Sequence, residues 1–237
     1  MKQSWVEEFR FPAFLWRKSS VSHHTGFAIT LKRSFDILLS GVGLLLSSPL
    51  WLFISLLIYL EDHGPVFFIQ KRVGRWGLPF RAYKFRSMKA SAGLEFPNLQ
   101  ACENDPRLTR VGGFLRTTAM DELPQLLNIW KGDMSFVGPR ALLADEIEIN
   151  RDDSDRETLN HLFRKRCAVV PGLTGMAQVF APRDICRRKK FRYDLFYIRK
   201  QSFFFDLKLI TLSFLITFRG TWERRDNKLG RVRRKYV

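Results

Sequence analysis

The chain has 237 residues, and its 40 Lys and Arg against 23 Asp and Glu give a formal net charge of +17 at pH 7. This length leaves room for one core of moderate size. The positive charge favours phosphate-rich partners, namely anionic lipid, nucleotides or nucleic acid. We predict no nucleic-acid partner, because the sequence contains no base-reading module and no aromatic RNA-binding signature.

The N-terminal arm, residues 1–31, resembles neither a signal peptide nor a continuous membrane segment. It carries several charged residues and lacks a long apolar core and a cleavage site. Its aromatic residues suit either the level of the lipid headgroups or packing on the globular part. Targeting is therefore expected from the next segment. Three cysteines, an odd number without paired metal-ligand spacing, favour a reduced cytosolic environment.

Residues 37–60 form an apolar stretch that is interrupted at Ser48 and Pro49. A straight helix of this length would cross a hydrocarbon core of about 30 Å. However, basic residues flank both ends and draw both toward the cytoplasm: Lys32, Arg33, Lys71, Arg72 and Arg75. Because Pro49 lacks an N–H and crowds the preceding turn, we predict a re-entrant helix-break-helix over residues 32–62. A kinked single span is the alternative, since membrane helices tolerate proline.

Residues 63–200 have the pattern of one compact cytoplasmic domain, and the predicted fold class is α/β (α+β, helix-rich). Short strands are predicted at residues 66–69 and 80–85, with a turn-rich stretch between them. In the second strand Lys84 alternates with apolar residues, and Arg86 follows in the same register. Such alternation is typical of a solvated strand face. We keep Lys84 and Arg86 as secondary candidates for contact with substrate phosphates.

An amphipathic helix is predicted after Thr118. Thr118 and Asp121 have the spacing of a capping box, and Lys131-Gly132 is a typical helix end. Asp121 and Glu122 would then lie in the first turn, where the helix dipole favours carboxylates for structural reasons alone.

Two arginines near this acidic pair add a chemical reason for it. Arg116 precedes the pair and Arg140 follows it in a Gly-Pro-Arg loop. Guanidinium groups bind phosphate oxygens through two hydrogen bonds, and carboxylates among them can hold a divalent cation or attack phosphorus. Asp121, Glu122, Arg116 and Arg140 are therefore the principal candidate site residues.

Residues 201–237 are predicted to form an interfacial helix and a basic tail. Residues 203–218 are apolar apart from Asp206, Lys208 and a few hydroxyls, and basic clusters lie on both sides. This pattern favours an amphipathic helix at the membrane interface, with cations beside lipid phosphates. An ordinary buried C-terminal helix is the alternative.

An ordered series of motifs extends through most of the chain. It consists of KRSFD at 32–36, SP at 48–49, GPV at 64–66, QKRVG at 70–74, YKFRSM at 83–88, DELPQL at 121–126, GDMSFVGPR at 132–140 and PGLTG at 171–175. The series resembles that of the bacterial sugar transferases, the monotopic phosphoglycosyl transferases. The resemblance covers roughly residues 32–220.

This resemblance implies an activity and a location. The expected reaction transfers a sugar 1-phosphate from a nucleoside diphosphate sugar, commonly a UDP-sugar, to polyprenyl (undecaprenyl) phosphate and releases UMP. It would initiate a bacterial glycoconjugate or exopolysaccharide. The expected location is the bacterial inner membrane, with a re-entrant helix among membrane lipids and the catalytic domain on the cytoplasmic face. A homodimer is left open.

The resemblance also implies roles for the acidic pair. Asp121 stands where the family has its nucleophile, which forms a covalent aspartyl sugar-phosphate, and Glu122 is its partner. Both are the expected ligands of Mg2+. A carboxylate attacks a polyanion only when charge is neutralised, which Mg2+, Arg116 and Arg140 would do.

The chain departs from the family pattern at three positions. Ala141 replaces a second proline, which is expected to loosen the loop that holds Arg140; Met176 replaces a tryptophan; and Gly113 stands where a basic residue is common. None of them removes a residue of the expected chemistry. The alternative function is a non-catalytic basic scaffold on the membrane surface, which would need neither Asp121 nor Arg140.

Overall fold

The computed structural model describes residues 26–89, 105–143, 156–181 and 187–218. The predicted arm up to residue 25 and the basic tail from residue 219 lie outside these ranges. Helix α1, Gly26–Asp62, is 37 residues long. Within the described ranges it is the one helix whose length and apolar composition would allow it to cross a membrane.

Helix α1 begins before residue 32 and continues through Ser48 and Pro49, so the predicted break does not interrupt its helical structure. The hydrogen bonding explains why. Pro49 lacks the N–H that would bond the Leu45 carbonyl, and the Ser48 hydroxyl donates to that carbonyl instead, at 2.8 Å. The carbonyl is satisfied without water, as a lipid environment requires. The re-entrant path stays a prediction.

A β-hairpin follows α1, as predicted. Strands β1, Phe67–Val73, and β2, Pro79–Phe85, are antiparallel, with Phe67 opposite Phe85. The connection reverses direction through Trp76 and Gly77, both in the left-handed region with φ of 60° and 76°. The sequence located both strands, although β1 extends four residues beyond its predicted end.

The region around the acidic pair differs from the prediction. Helix α2, Arg110–Thr117, is capped by Thr109 and ends at Thr118, whose hydroxyl bonds carbonyls of α2. The capping box is therefore wrong: Thr118 closes one helix and does not begin the next. Helix α3, Gln125–Lys131, begins after Pro124 and ends, as predicted, at Gly132 with φ of 98°.

Two short strands form the second sheet of the described region. Strands β3, Ser135–Val137, and β4, Gly172–Thr174, are parallel. Gly172, the first residue of β4, packs against the backbone that follows β3, since a Cβ on Gly172 would lie 2.0 Å from the Gly138 nitrogen. The remaining helices are α4, Arg156–Arg166, α5, Met176–Phe180, α6, Arg187–Lys200, and α7, Phe203–Phe218. These elements confirm a helix-rich fold with small sheets.

The largest core cluster lies between β3 and the last three helices. It consists of Val137, Met176, Val179, Tyr197, Ile198, Leu209 and Ile216. Met176, one of the three departures, is thus a core residue. A second cluster joins α1 to β2 and α2 through Ile54, Ile58, Phe85 and Leu115.

Helix α7 has the predicted bounds and is buried on one side only. Leu209 and Ile216 are buried on one side, whereas Phe204 and Phe218 are 81% and 84% exposed on the other. The buried side anchors the helix to the domain, and the exposed side is an apolar surface.

Candidate active site

Asp121 and Glu122 lie in a single 3-10 turn, Met120–Glu122, between α2 and α3. The preceding residue, Ala119, has φ of 55°. Residues other than glycine rarely adopt this left-handed conformation, and they do so where surrounding structure imposes it. The turn thus leaves α2 and directs both carboxylates back toward the hairpin.

Lys84 of β2 meets both carboxylates. Its Nζ lies 2.5 Å from Glu122 Oε1 and 4.0 Å from Asp121 Oδ2, and all three side chains are at least three-quarters buried. The expectation of a solvated strand face is therefore wrong at this position. Lys84 was a secondary candidate, and the structure makes it the closest cation to the acidic pair.

The two carboxylates have opposite pKa shifts. Burial raises the pKa of Asp121 to about 6; the charge of Glu122 also raises it, and Lys84 opposes the shift most strongly. Burial also disfavours ionised Glu122, but the charges of Lys84 and Arg140 and the Lys84 hydrogen bond lower its pKa to about 2. Glu122 is thus ionised at neutral pH. Asp121 is also mostly ionised there, and its raised pKa makes it a stronger base than an ordinary carboxylate. Carboxyl pairs with separated pKa values are common at catalytic sites.

The structure also brings Arg116 near the pair. The charge of Arg116 acts on Asp121, and its Nε donates to the Ser87 hydroxyl at 3.0 Å. Ser87 follows β2 and lies directly against α2, since a Cβ on Gly112 would be 2.0 Å from the Ser87 carbonyl oxygen. This close approach fixes Arg116 relative to the strand that carries Lys84.

Arg140 reaches the pair from the loop after β3. Its charge lowers the pKa of both Asp121 and Glu122. The residue is exposed, unlike the carboxylates beside it. An exposed guanidinium next to buried carboxylates is well placed to meet an incoming phosphate.

Arg86 has a different environment from the other candidates. It is buried, and its two terminal nitrogens pair with the carboxylate of Asp62 at the end of α1. The predicted solvated face is wrong here too. Because its guanidinium is paired with Asp62, we assign Arg86 a structural role, in which it connects α1 to the end of β2. Its contact with a substrate phosphate stays a prediction. Ser48 and Pro49 are exposed residues in the middle of α1.

Sequence analysis did not assign Arg72 or Asn128 to the candidate site. The strand register places Arg72 on the same hairpin face as Lys84, and its charge helps to lower the pKa of Glu122. Fully buried Asn128 accepts from the Tyr83 N–H at 3.0 Å and donates to the Arg81 carbonyl at 2.7 Å, so it holds α3 against the edge of β2. Its signal was a polar residue within the apolar pattern of the predicted helix.

The side chains of the candidate site determine which metal ion it could hold. Within the described ranges no group of three or more His, Cys, Asp or Glu side chains is arranged as a metal site. Asp121 and Glu122 supply two carboxylates. Mg2+ is commonly held by one or two carboxylates together with waters and substrate phosphates. The residues present therefore fit Mg2+ that arrives with a nucleotide substrate.

The chain is similar to proteins of a known family. A family model described as bacterial sugar transferase matches residues 27–220. A UDP-glucose:undecaprenyl-phosphate glucose-1-phosphate transferase of Escherichia coli (strain K12) is 42% identical over 195 residues, which are 80% of this chain and 40% of that protein. The exopolysaccharide production protein ExoY of Rhizobium meliloti (strain 1021) is 38% identical over 207 residues, which are 81% of this chain and 88% of ExoY.

A third relative is an undecaprenyl-phosphate galactose phosphotransferase of Salmonella typhimurium, 37% identical over 194 residues, which are 76% of this chain and 39% of that protein. The chain thus spans about two fifths of the length of the first and third relatives and most of ExoY. The family model covers most of the chain, close to residues 32–220 over which the motifs extend. The chain belongs to the bacterial sugar transferase family.

Proposed function

We propose that this protein is a transferase that moves a sugar 1-phosphate from a UDP-sugar to undecaprenyl phosphate and releases UMP. The observation that carries the proposal is the buried Asp121–Glu122 pair, with Lys84 in contact and Arg116 and Arg140 close by. Relatives named for UDP-glucose and undecaprenyl phosphate support the two substrates. Exopolysaccharide production, named for ExoY, supports an initiating role in polysaccharide synthesis.

The proposed mechanism has two half-reactions. A carboxylate oxygen of Asp121 attacks the phosphorus that bears the sugar, an O–P bond forms, and the bond to the UMP oxygen breaks. An oxygen of undecaprenyl phosphate then attacks the same phosphorus, which forms the lipid diphosphate sugar and releases the Asp121 carboxylate. Splitting the transfer in this way lets one site handle both a soluble donor and a lipid acceptor.

The cations near Asp121 make this attack feasible. Arg140 and Arg116 would bind phosphate oxygens and offset their negative charge, which otherwise repels a carboxylate. Glu122 keeps Lys84 beside Asp121 and remains ionised. Asp121 and Glu122 would hold Mg2+, which supplies further neutralisation of phosphate charge when bound.

Contacts at the two ends of α1 support placing both ends on the same side of the membrane. Near its start, Lys32 donates to the Val137 carbonyl at 3.0 Å. Near its end, the Glu61 carboxylate accepts from the Arg110 and Val111 N–H groups at 2.6 and 3.1 Å. A helix of about 55 Å whose two ends contact one cytoplasmic domain does not have those ends on opposite sides of a bilayer.

The other side of α1 is apolar and exposed. Its most exposed large residues are Leu38, Leu45, Leu46, Leu52, Phe53 and Leu60. They recur at intervals of seven or eight residues, which is typical of one helix face. We propose that this face enters the cytoplasmic leaflet of the bacterial inner membrane, alongside the exposed side of α7.

Topology can be tested with single cysteines placed beside Lys32 and beside Lys71, in a background without the native cysteines. Both should react only with a reagent applied from the cytoplasmic side. Reaction of the two positions from opposite sides would establish a spanning helix. In the same assay Pro49→Ala should favour a straighter segment, because it restores the N–H that the Leu45 carbonyl otherwise lacks.

The activity is tested by incubating the protein with undecaprenyl phosphate, Mg2+ and each of several UDP-sugars. The panel includes glucose, galactose and N-acetylgalactosamine, and the measured product is UMP. We expect UMP with at least one sugar. Binding to anionic vesicles without UMP from any sugar would instead support the non-catalytic scaffold, since lipid binding needs none of the buried acidic pair.

A further inference from the structure

Four consecutive carbonyls, those of residues 139–142, accept hydrogen bonds from three separate parts of the chain. The donors to Pro139, Arg140, Ala141 and Leu142 are, in that order, the Gly172 N–H at 2.9 Å, Arg166 Nη2 at 2.6 Å, Arg72 Nη1 at 2.8 Å and the Val73 N–H at 2.9 Å. The hairpin, β4 and α4 thus converge on this segment. Main-chain bonds hold its first and last carbonyls, and arginine side chains hold the middle two.

Arg166, the last residue of α4, is the donor to Arg140 itself. Its Nε donates to Asp194 Oδ2 of α6 at 3.0 Å, and its guanidinium lies 4.9 Å from the Phe191 ring centre. The side chains of Arg166 and Asp194 are only 4% and 3% exposed. The ion pair therefore lies in the interior, directly behind the exposed Arg140.

A buried ion pair such as Arg166–Asp194 contributes little to stability in a protein core. Removing two charges from water can cost more than their attraction returns, and apolar side chains of similar volume often stabilise as well or better. Moreover, Asp194 Oδ1 is buried with no hydrogen-bond partner in the described part of the chain. What the pair supplies, and an apolar filling would not, is a fixed N–H directed at the Arg140 carbonyl.

The planar guanidinium is needed for this arrangement. Nε points at Asp194 and Nη2 points at the Arg140 carbonyl, so one rigid group connects α6 to the loop. A lysine ammonium keeps the charge but lacks this fixed divergent geometry.

We propose that the buried Arg166–Asp194 ion pair is a positioning element that holds Arg140 in place for the substrate phosphate. This inference rests on the proposed function, in which Arg140 binds phosphate. Arg166 and Asp194 act on the reaction through the main chain of Arg140 and do not touch substrate. The loop is thereby held despite Ala141 in place of the family's second proline.

The first test is a double-mutant cycle on kcat/KM for UMP release. Arg166→Lys should lower kcat/KM roughly tenfold to a hundredfold, because small displacements of a binding group have effects of that size. In an Arg140→Ala background the same change should have almost no further effect. If Arg166→Lys and Arg140→Ala instead lower kcat/KM by independent factors that multiply in the double variant, the proposal is overturned.

Arg33→Lys provides a matched control. Arg33 also donates to main-chain carbonyls of another element, those of Ile129 and Trp130, at 2.6 and 2.7 Å. Any effect of Arg33→Lys should therefore multiply with that of Arg140→Ala. Melting temperatures of all variants establish that each is folded at the assay temperature, so that coupling is not mistaken for unfolding.

A second measurement does not depend on activity. Hydrogen–deuterium exchange of wild type, Arg166→Lys, Asp194→Asn and Arg33→Lys should show roughly tenfold faster exchange at Val73, Gly138 and Gly172 in the first two variants alone. The Gly172 and Val73 amides bond the Pro139 and Leu142 carbonyls, and the amide of Gly138, the residue before Pro139, bonds the Thr174 carbonyl. Unchanged exchange there would overturn the proposal. If the wild type releases no UMP with any sugar, the proposed function fails, while the exchange result still decides whether the pair holds the loop.

Discussion

Asp121→Asn is expected to lower UMP release in the presence of acceptor by at least about a thousandfold, because the amide has neither the charge nor the nucleophilicity of the carboxylate. Glu122→Gln is the comparator, since it alters the neighbouring carboxylate of the same turn. It should slow both half-reactions without abolishing covalent chemistry. Residual UMP release that is equal in the two variants would mean that Asp121 has no special role.

The pH dependence of the first half-reaction provides a further check on Asp121. The carboxyl attacks only when ionised, and its pKa is raised to about 6 without bound metal or substrate. The rate should therefore fall as the pH drops through about 6, and Mg2+ should move that fall to lower pH. A rate that rises toward acidic pH would contradict attack by the Asp121 carboxylate.

Lys84→Met has the second largest expected effect, on activity and on stability together. Without Lys84 the two buried carboxylates face each other with less compensation, so the pKa of Asp121 rises and less of it is ionised at neutral pH. We expect a loss of roughly a hundredfold in kcat and of about 3 kcal/mol in the free energy of unfolding near pH 8. Urea titrations and UMP release measure the two.

The sign of the pH dependence makes this prediction specific. In the wild type Lys84 helps to lower the Glu122 pKa to about 2, so ionised Glu122 contributes stability above its unfolded pKa. In Lys84→Met burial would raise that pKa, and ionisation would then oppose folding. The destabilisation should therefore be smaller at pH 5 than at pH 8. Arg81→Met, an exposed position on the other hairpin face, is the control and should show neither effect.

The elements that sequence located best are those with long apolar patterns. Helix α7 has the predicted bounds because its apolar run ends at charged clusters on both sides. The hairpin was found because a turn-rich stretch separates two short strands, the second of which alternates apolar and cationic residues. The predicted break at Pro49 does not interrupt α1, since the Ser48 hydroxyl satisfies the carbonyl that proline leaves without a donor.

The acidic turn shows where local pattern reasoning fails. Thr118 has capping-box spacing to Asp121, yet Thr109 already caps a helix that ends at Thr118. Ala119 then adopts a left-handed conformation that its residue type does not favour, so no local rule predicts it. The motif pointed to the two carboxylates of the proposed site, while their backbone is imposed by packing between α2 and α3.

Contacts between residues far apart in the chain could not be predicted from the sequence. The alternation around Lys84 is equally compatible with solvent and with a buried acidic partner, and only the fold places Glu122 opposite it. The same holds for Arg166, 26 residues from the carbonyl that it bonds, and for Asn128, 45 residues from its partner Tyr83. Motif order predicts which residues react, and tertiary structure determines which residues hold them.

Intact-mass analysis of the protein after incubation with the productive UDP-sugar and Mg2+, without lipid acceptor, tests the two-step mechanism most directly. We predict UMP in at most stoichiometric amount and a sugar-phosphate adduct on the peptide that contains Asp121, with neither formed by Asp121→Asn. An adduct on Glu122 would keep two steps and exchange the roles of the carboxylates. Absence of any adduct, with UMP formed only after undecaprenyl phosphate is added, would contradict covalent catalysis and show direct attack by the lipid phosphate.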